Sequence, residues 1–203
     1  NPFLIRLGIY ENVKKILSEE VDGIKKNMLL ELSMPFHDLG KIIVFGSERT
    51  NREHEIASKS LIYEDFLNQK LSSLSLSKRQ IDYIARCIET HDVVGKEIRD
   101  FLKHSNNLNL GYLSKQQPLL LCSNLASKYP DVKIEIGIFF LCDSLGKTDV
   151  RINANTDEEI LQQETSIINV LKKRNLSIEL KHAVMQLPVN IKIAEVYLKT
   201  AIS

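Results

Sequence analysis

Three of the five histidines in this chain stand directly beside a carboxylate residue. The pairs are His37-Asp38, His54-Glu55 and His91-Asp92. Each pair lies within or at the end of an apolar stripe, and Asp143 follows a fourth apolar run. Imidazole with carboxylate is a ligand set that suits divalent Mn, Fe, Co, Ni and Zn, or Mg where more oxygen is present. The order of these residues therefore predicts a metal site where several helices meet.

The geometry of a helix limits how the first pair can bind. Adjacent side chains on a helix point roughly 100° apart, so we expect His37 and Asp38 to contact one or two ions, with the carboxylate as a bridge. His54 and His91 come from two other predicted helices, and Asp143 supplies a further oxygen. Such a site leaves positions open for water, lowers the pKa of that water and polarises a phosphoryl oxygen.

Each of these residues also has a simpler structural explanation. A lone histidine at a helix end is more often a cap or a satisfied core residue than a ligand, and Asp143 can cap a helix. His91 can interact with the dipole at a helix C-terminus. The combination of four such residues, each on an apolar segment, favours the metal site. His104, in a polar stretch, and His182, beside Lys181, are predicted to be structural or solvated.

Composition narrows the class of protein. A chain of 203 residues that is 43% hydrophobic can bury one good core. A net charge of +1 provides no global field for duplex DNA or for a membrane surface, and the longest apolar run, 134–142, is too short to span a bilayer. No signal peptide is visible, and a further domain before Asn1 is possible. Buried, reduced thiols and a cytoplasmic location are predicted from three scattered cysteines: Cys87, Cys122 and Cys142.

The apolar periodicity predicts an all-α protein, a helical bundle around the metal site. Helices are predicted over 12–32 (with Gly23 as a soft interruption), 54–71, from Ser77 (with a capping box to Gln80), 96–104, 132–145, 156–173, 177–187 and 190–202. A strand is the alternative for 132–145. Pro35 is expected to start or kink a helix, and Pro188 to separate the last two. No strand-turn-strand signal is found. The predicted domains are residues 1–155 and a C-terminal annex, 156–203, packed on the same core.

Four motifs in order resemble a known family. They are Phe-His-Asp-Leu-Gly-Lys, Arg-Glu-His-Glu-Ile-Ala, Ile-Glu-Thr-His-Asp and Leu-Cys-Asp-Ser-Leu-Gly-Lys. They resemble the HD superfamily of metal-dependent phosphohydrolases, in a match that covers roughly residues 10–150. The resemblance implies a helical bundle around one or two divalent ions and hydrolysis of phosphate esters or anhydrides, often of nucleotides. The last motif is similar to HD domains attached to RNA nucleotidyltransferases, which adds RNA to the expected partners, a phosphorylated small molecule or a nucleotide.

The resemblance also implies roles for individual residues. The implied metal ligands are His37, Asp38, His54, His91 and Asp143, with Asp38 as the catalytic bridge between ions. Lys41 matches the lysine of the first motif and is expected to act in catalysis by contacting a phosphate, or to pair with a neighbouring carboxylate. Four more basic residues are placed to bind phosphate or to be solvated on the surface: Arg49, Arg52, Lys147 and Arg151.

One departure from the family pattern leaves a second reading open. The pattern begins with a further histidine, but no histidine precedes His37 here, and Tyr10 and Glu11 stand in its place. The alternative to a hydrolase is therefore a degenerate HD module that binds a nucleotide, RNA or protein partner without hydrolysis. A purely structural bundle is a third reading, which so many buried titratable groups disfavour.

Overall fold

The computed structural model describes residues 2–44, 54–104, 110–146 and 178–203. Its N-terminal part contains, in order, α1 (Pro2–Arg6), α2 (Tyr10–Leu17), β1 (Glu20–Val21), β2 (Ile24–Lys25), α3 (Lys26–Ser33), a 3-10 helix (Met34–Phe36) and α4 (Gly40–Val44).

Every element of the described remainder is a helix. It contains α5 (His54–Tyr63), α6 (Asp65–Ser73), α7 (Lys78–Thr90), a π-helix (Gly95–Arg99), α8 (Asp100–His104), a second 3-10 helix (Leu110–Ser114), α9 (Gln116–Lys128), α10 (Lys133–Gly146) and α11 (Ile178–Ile202). The predicted all-α class is confirmed. The helix predicted over 156–173 lies outside the described residues.

A short hairpin interrupts the helix that was predicted over 12–32. β1 pairs antiparallel with β2, and the turn between them has φ values of 48° at Asp22 and 85° at Gly23. Two consecutive left-handed residues are typical of a type I′ turn, for which Asp-Gly is a favoured dipeptide. The prediction of one helix, and of no strand-turn-strand signal, was therefore wrong, because the helical spacing of the apolar residues concealed this turn.

Two other predicted boundaries differ from the structure. The helix expected over 54–71 is split into α5 and α6 at Glu64, whose ψ of 141° is extended. The two helices expected around Pro188 are instead one helix, α11, with the proline inside it. A proline costs a helix one hydrogen bond. Packing of α11 on α10 compensates, since Tyr197 is buried and donates its hydroxyl to the carbonyl of Lys133 at 3.0 Å.

Three local predictions are confirmed. The hydroxyl oxygen of Ser77 accepts from the amide of Gln80, whose side-chain oxygen accepts from the amide of Ser77 at 2.8 Å, so the capping box at the start of α7 is complete. Pro35 lies in a 3-10 helix that ends α3. The apolar run over 132–145 forms α10, which is buried around most of its circumference.

Two apolar clusters hold these helices together. The larger includes Phe139 of α10 and Tyr197 of α11, so the described C-terminal helix shares one core with α10; the boundary at residue 155 stays a prediction. The smaller cluster joins α3, α5 and α7 through Leu29, Ile62 and Ile84. Among the described helices, none is long and apolar enough to cross a membrane.

The prediction that the three cysteines are buried is confirmed at two positions and wrong at one. Cys87 and Cys122 are free and buried, whereas Cys142 is free and exposed. Cys142 precedes Asp143 on α10, and its side chain points away from the core that the neighbouring Phe140 and Leu141 enter.

Gly40 allows α4 to approach α5 more closely than any other residue would. A Cβ atom at Gly40 would lie 2.1 Å from the carbonyl oxygen of His54 and 2.5 Å from the amide nitrogen of Ser58. The amide of Gly40 also donates to the hydroxyl of Ser58 at 2.7 Å. The glycine of the His-Asp-Leu-Gly-Lys motif therefore fixes the spacing between Asp38 and His54.

We expect Gly40→Ala to lower the free energy of unfolding by about 3 kcal/mol, because backbone atoms of α5 must move to accommodate the methyl group. Gly146→Ala is the matched control, since a Cβ there meets nothing within 4 Å. Urea denaturation monitored by circular dichroism measures both. Equal stability of the two variants would contradict the close approach of α4 to α5.

Candidate metal centre

The residues with metal-binding chemistry come from four separate elements. His37 and Asp38 lie in a turn between the first 3-10 helix and α4, so this pair is not inside a helix as the sequence predicted. His54 is the first residue of α5, and His91 follows the last residue of α7. Asp143 projects from α10. A turn is less regular than a helix, which allows the His37 and Asp38 side chains to face the same site.

The carboxylate of Asp38 lies at the middle of the cluster. Its Oδ1 is 3.3 Å from Nε2 of His54 and 3.9 Å from Nε2 of His91. Its Oδ2 is 3.4 Å from Nε2 of His37. Nε2 of His37 is also 3.4 Å from Oδ1 of Asp143. The structure thus brings all five predicted ligands into one connected group around Asp38.

The members of this group are not equally close. Ligand atoms of His37, Asp38 and His91 all lie within 4.8 Å of one another, which is the spacing expected of residues that share an ion. His54 joins at one side, with its Nε2 atom 3.3 Å from Nε2 of His91. Asp143 joins at the opposite side through His37. The arrangement has a compact centre and two outer donors.

Backbone carbonyls fix the protonation pattern of two histidine rings. Nδ1 of His37 is 2.6 Å from the carbonyl oxygen of Met34, and Nδ1 of His91 is 2.7 Å from that of Ile88. A carbonyl oxygen only accepts hydrogen bonds, so each Nδ1 carries the proton. In the neutral rings the lone pair is then on Nε2, the atom that faces Asp38. Metal-binding histidines are commonly held in this way.

The site leaves buried acceptor atoms without hydrogen bonds. Among the described residues, Nε2 of His37 and Oδ1 of Asp38 are buried and have no hydrogen-bond partner. An unsatisfied buried acceptor costs about 1–3 kcal/mol. Donor atoms about 2.0–2.2 Å from a shared ion lie about 3–4 Å apart, as these atoms do. A divalent cation fits the nitrogen and oxygen donors and would satisfy both unpaired atoms.

The electrostatics of the site favour an ionised carboxylate. Burial alone would raise the pKa of Asp38, but contacts with His54 and Lys41 and the charge of His37 outweigh it and lower that pKa strongly. Burial alone would lower the pKa of His37, but Asp143, the Met34 carbonyl and Asp38 raise it overall. Burial lowers the pKa of His91. Asp38 is therefore charged across the physiological range.

Lys41 forms the ion pair that the sequence offered as one of its two roles. Its ammonium donates to Oδ2 of Asp38 from one turn further along the chain. The Lys41 side chain is 31% exposed, so its charge is accessible from outside the site. Oδ1 of Asp38, which faces His54 and His91, is left for another cation.

Several predicted residues do not contribute to the described cluster. Four basic candidates for phosphate binding lie outside the described residues: Arg49, Arg52, Lys147 and Arg151. The side chains of His104 and His182 also lie outside them. Glu11, which stands where the family has its first histidine, is exposed on α2 and is not among the groups that converge near Asp38.

One contact of the site could not be predicted from the sequence. Lys96, in the π-helix, donates to Oε1 of Glu55, and Oε2 of the same carboxylate is 3.2 Å from Nδ1 of His54. The His-Glu pair marked Glu55 as acidic and close to His54. No sequence pattern identified Lys96 as the partner of Glu55, because the two residues are 41 positions apart and Lys96 lies in a π-helix.

Comparison of the chain with family models, with curated proteins and with solved structures finds no match in any of the three.

The candidate metal site predicts a specific response to divalent ions. Mn²⁺, Co²⁺ or Zn²⁺ at about 100 times its Kd should raise the melting temperature by about 5–10 °C, because the ion binds only the folded chain. Asp38→Asn should remove that shift and the bound metal, since it removes the central charge. Elemental analysis and thermal denaturation measure the two effects.

Asp65→Asn is the matched control, because Asp65 is an exposed aspartate in the first turn of α6. It should retain the metal and the thermal shift of the unmodified protein. Full metal content in the Asp38→Asn variant would contradict the site.

Proposed function

We propose that this protein is a metal-dependent phosphohydrolase that acts on a phosphate ester or anhydride of a nucleotide or nucleic acid. The observation that carries the proposal is the convergence of three imidazole Nε2 atoms on the half-buried carboxylate of Asp38. Asp143 adds a second carboxylate next to His37. These nitrogen and oxygen donors suit Mn, Fe, Co, Ni or Zn, and Mg with further water ligands.

The two oxygens of Asp38 support a site for one or two ions. Oδ1 faces His54 and His91, whereas Oδ2 faces His37, which in turn contacts Asp143. Two sets of donors therefore share one carboxylate, as expected of a bridging aspartate. When bound there, a divalent cation supplies a more acidic water and polarises a phosphoryl oxygen.

The residues of the chain have distinct roles in this proposal. Asp38 holds the cation, and His37 and His91 hold it with rings whose orientation the backbone already fixes. Lys41, half-buried and next to Asp38, can donate to a phosphate oxygen and stabilise negative charge in the transition state. Its ammonium would be available for this role where a cation took its place on Oδ2 of Asp38.

The order of the four motifs supports membership of the HD superfamily as part of the same proposal, because their five ligand residues meet in space. The proposed substrate is a phosphorylated small molecule, a nucleotide or RNA, since a net charge of +1 provides no general attraction for long duplexes. The buried free thiols of Cys87 and Cys122 support action in a reducing compartment such as the cytoplasm.

A second candidate is a degenerate HD module that binds a nucleotide, RNA or protein partner without hydrolysing it. Two observations favour it. Glu11 is exposed and does not replace the histidine that opens the family pattern. Lys41 is bound to Oδ2 of Asp38, so its ammonium competes with a cation for that oxygen.

Hydrolysis of bis-p-nitrophenyl phosphate and p-nitrophenyl phosphate in Mn²⁺ and in Ni²⁺ distinguishes the two candidates. The hydrolase predicts metal-dependent release of nitrophenol, and Asp38→Asn should reduce it to the rate of the metal-free protein because the cation is lost. The Asp65→Asn variant serves again as the control.

Stoichiometric metal without turnover on either ester would contradict the hydrolase. If nucleotide binding by calorimetry accompanied that result, the binding module would be the correct candidate.

Lys41→Met tests the phosphate contact separately from metal binding. We expect it to raise KM or lower kcat by about 10- to 100-fold, because it removes one donor to a phosphate oxygen, with the metal content unchanged. Lys14→Met on α2 is the control, since Lys14 is exposed and lies over Tyr10. Loss of metal in Lys41→Met would instead assign Lys41 a structural role.

A further inference from the structure

A partly buried ion pair lies on the Nδ1 side of His54, whereas Asp38 lies on the Nε2 side. Glu55 is 8% exposed, and its Oε1 accepts from the ammonium of Lys96. Its Oε2 is 3.2 Å from Nδ1 of His54 and has no hydrogen-bond partner among the described residues. His54 is therefore held between two carboxylates, with Glu55 at Nδ1 and Asp38 at Nε2.

We infer that Glu55 and Lys96 are positioning residues that fix the ring of His54, so that its unprotonated Nε2 faces Asp38 and His91. The role of this pair rests on the metal centre proposed above. Each ring nitrogen of His54 lies near a carboxylate oxygen, with Nδ1 facing Glu55 and Nε2 facing Asp38. A cation bound at Nε2 would take the lone pair of that atom and leave the proton of the neutral ring on Nδ1, beside Glu55. Nε2 would then be the ligand atom, as in His37 and His91.

The Nδ1 atoms of the three histidines face acceptor oxygens of two different kinds. His37 and His91 place Nδ1 on the backbone carbonyl three residues earlier, Met34 and Ile88. Both lie at the end of a helical segment, where such a carbonyl faces the ring. His54 begins α5 instead, and the oxygen at its Nδ1 is the Glu55 carboxylate. A carboxylate on an imidazole is a recurrent device for orienting metal-binding histidines.

Lys96 gives Glu55 a counter-charge from a separate element. A buried carboxylate without a compensating charge is costly, and the α5 helix is linked to the π-helix by this pair. A Cβ at Gly95 would be 3.0 Å from the ring of Phe140, so the glycine lets the π-helix pack closely on α10. π-Helices occur frequently at functional sites. The π-helix therefore packs on α10 at Gly95 and reaches His54 through Lys96 and Glu55.

Proton placement on His54 in the metal-free protein tests the pair directly. Long-range ¹H–¹⁵N spectra report which ring nitrogen is protonated, with the His54 signals assigned from a His54→Gln variant. We expect Nδ1–H in the unmodified protein and a mixture or Nε2–H in Glu55→Ala. Glu55→Gln keeps an acceptor oxygen and should retain Nδ1–H. Lys96→Met should lower the fraction of His54 protonated at Nδ1 by less than Glu55→Ala does. Lys96→Arg should retain the fraction found in the unmodified protein.

Metal affinity gives a second readout. Glu55→Ala should weaken binding of Co²⁺ about 10- to 100-fold by calorimetry, as expected when the partner of a ligand histidine is removed. The control is Lys59→Ala, because Lys59 also lies on α5 and pairs with Glu89 of α7 at 2.8 Å without contacting a ligand. It should change neither readout.

An unchanged His54 spectrum in Glu55→Ala would overturn the inference, as would equal effects of Lys59→Ala and Lys96→Met. If the unmodified protein bound no Co²⁺, the proposed function would fail, whereas the spectra of the metal-free variants would still decide whether Glu55 and Lys96 orient His54.

Discussion

The site depends on one physical constraint, which is that several lone pairs face one another in a buried space. Nε2 of His54 and Nε2 of His91 are 3.3 Å apart, and Oδ1 of Asp38 is close to both. With Nδ1 of His91 bound to a carbonyl, its Nε2 presents electron density to the other acceptors. Such atoms repel one another unless a positive charge lies among them. A divalent cation would supply that charge, and this is the physical basis of the proposed metal centre.

The surrounding helices act mainly to hold this arrangement. α3, α5 and α7 are fixed to one another by the smaller apolar cluster, and α10 by the larger one, so His54, His91 and Asp143 approach from directions set by separate packing contacts. Gly40 brings α4 against α5, and the preceding turn then carries His37 and Asp38 into the gap. The positions of the donor atoms follow from these contacts rather than from attraction among the donors.

The sequence predicted the residues of the site better than it predicted some elements of the fold. Order and chemical type were enough to name all five residues that converge, because such residues in combination favour a shared site over separate structural roles. The turn at Asp22-Gly23 was overlooked because apolar spacing continues across it. The continuity of α11 through Pro188 depends on burial against α10, and the Glu55–Lys96 pair spans 41 residues. The unbroken helix and the ion pair both depend on tertiary contacts, which the local periodicity of apolar residues does not reveal.

The most direct test of the metal centre is the anomalous diffraction of crystals grown with Mn²⁺ or Zn²⁺. The structure predicts a strong peak about 2.0–2.2 Å from Nε2 of His91 and from a carboxylate oxygen of Asp38, with His37 or His54 as a further ligand. A peak elsewhere on the molecule, or no peak while Lys41 remains bound to Asp38, would contradict the account of this cluster as a metal site.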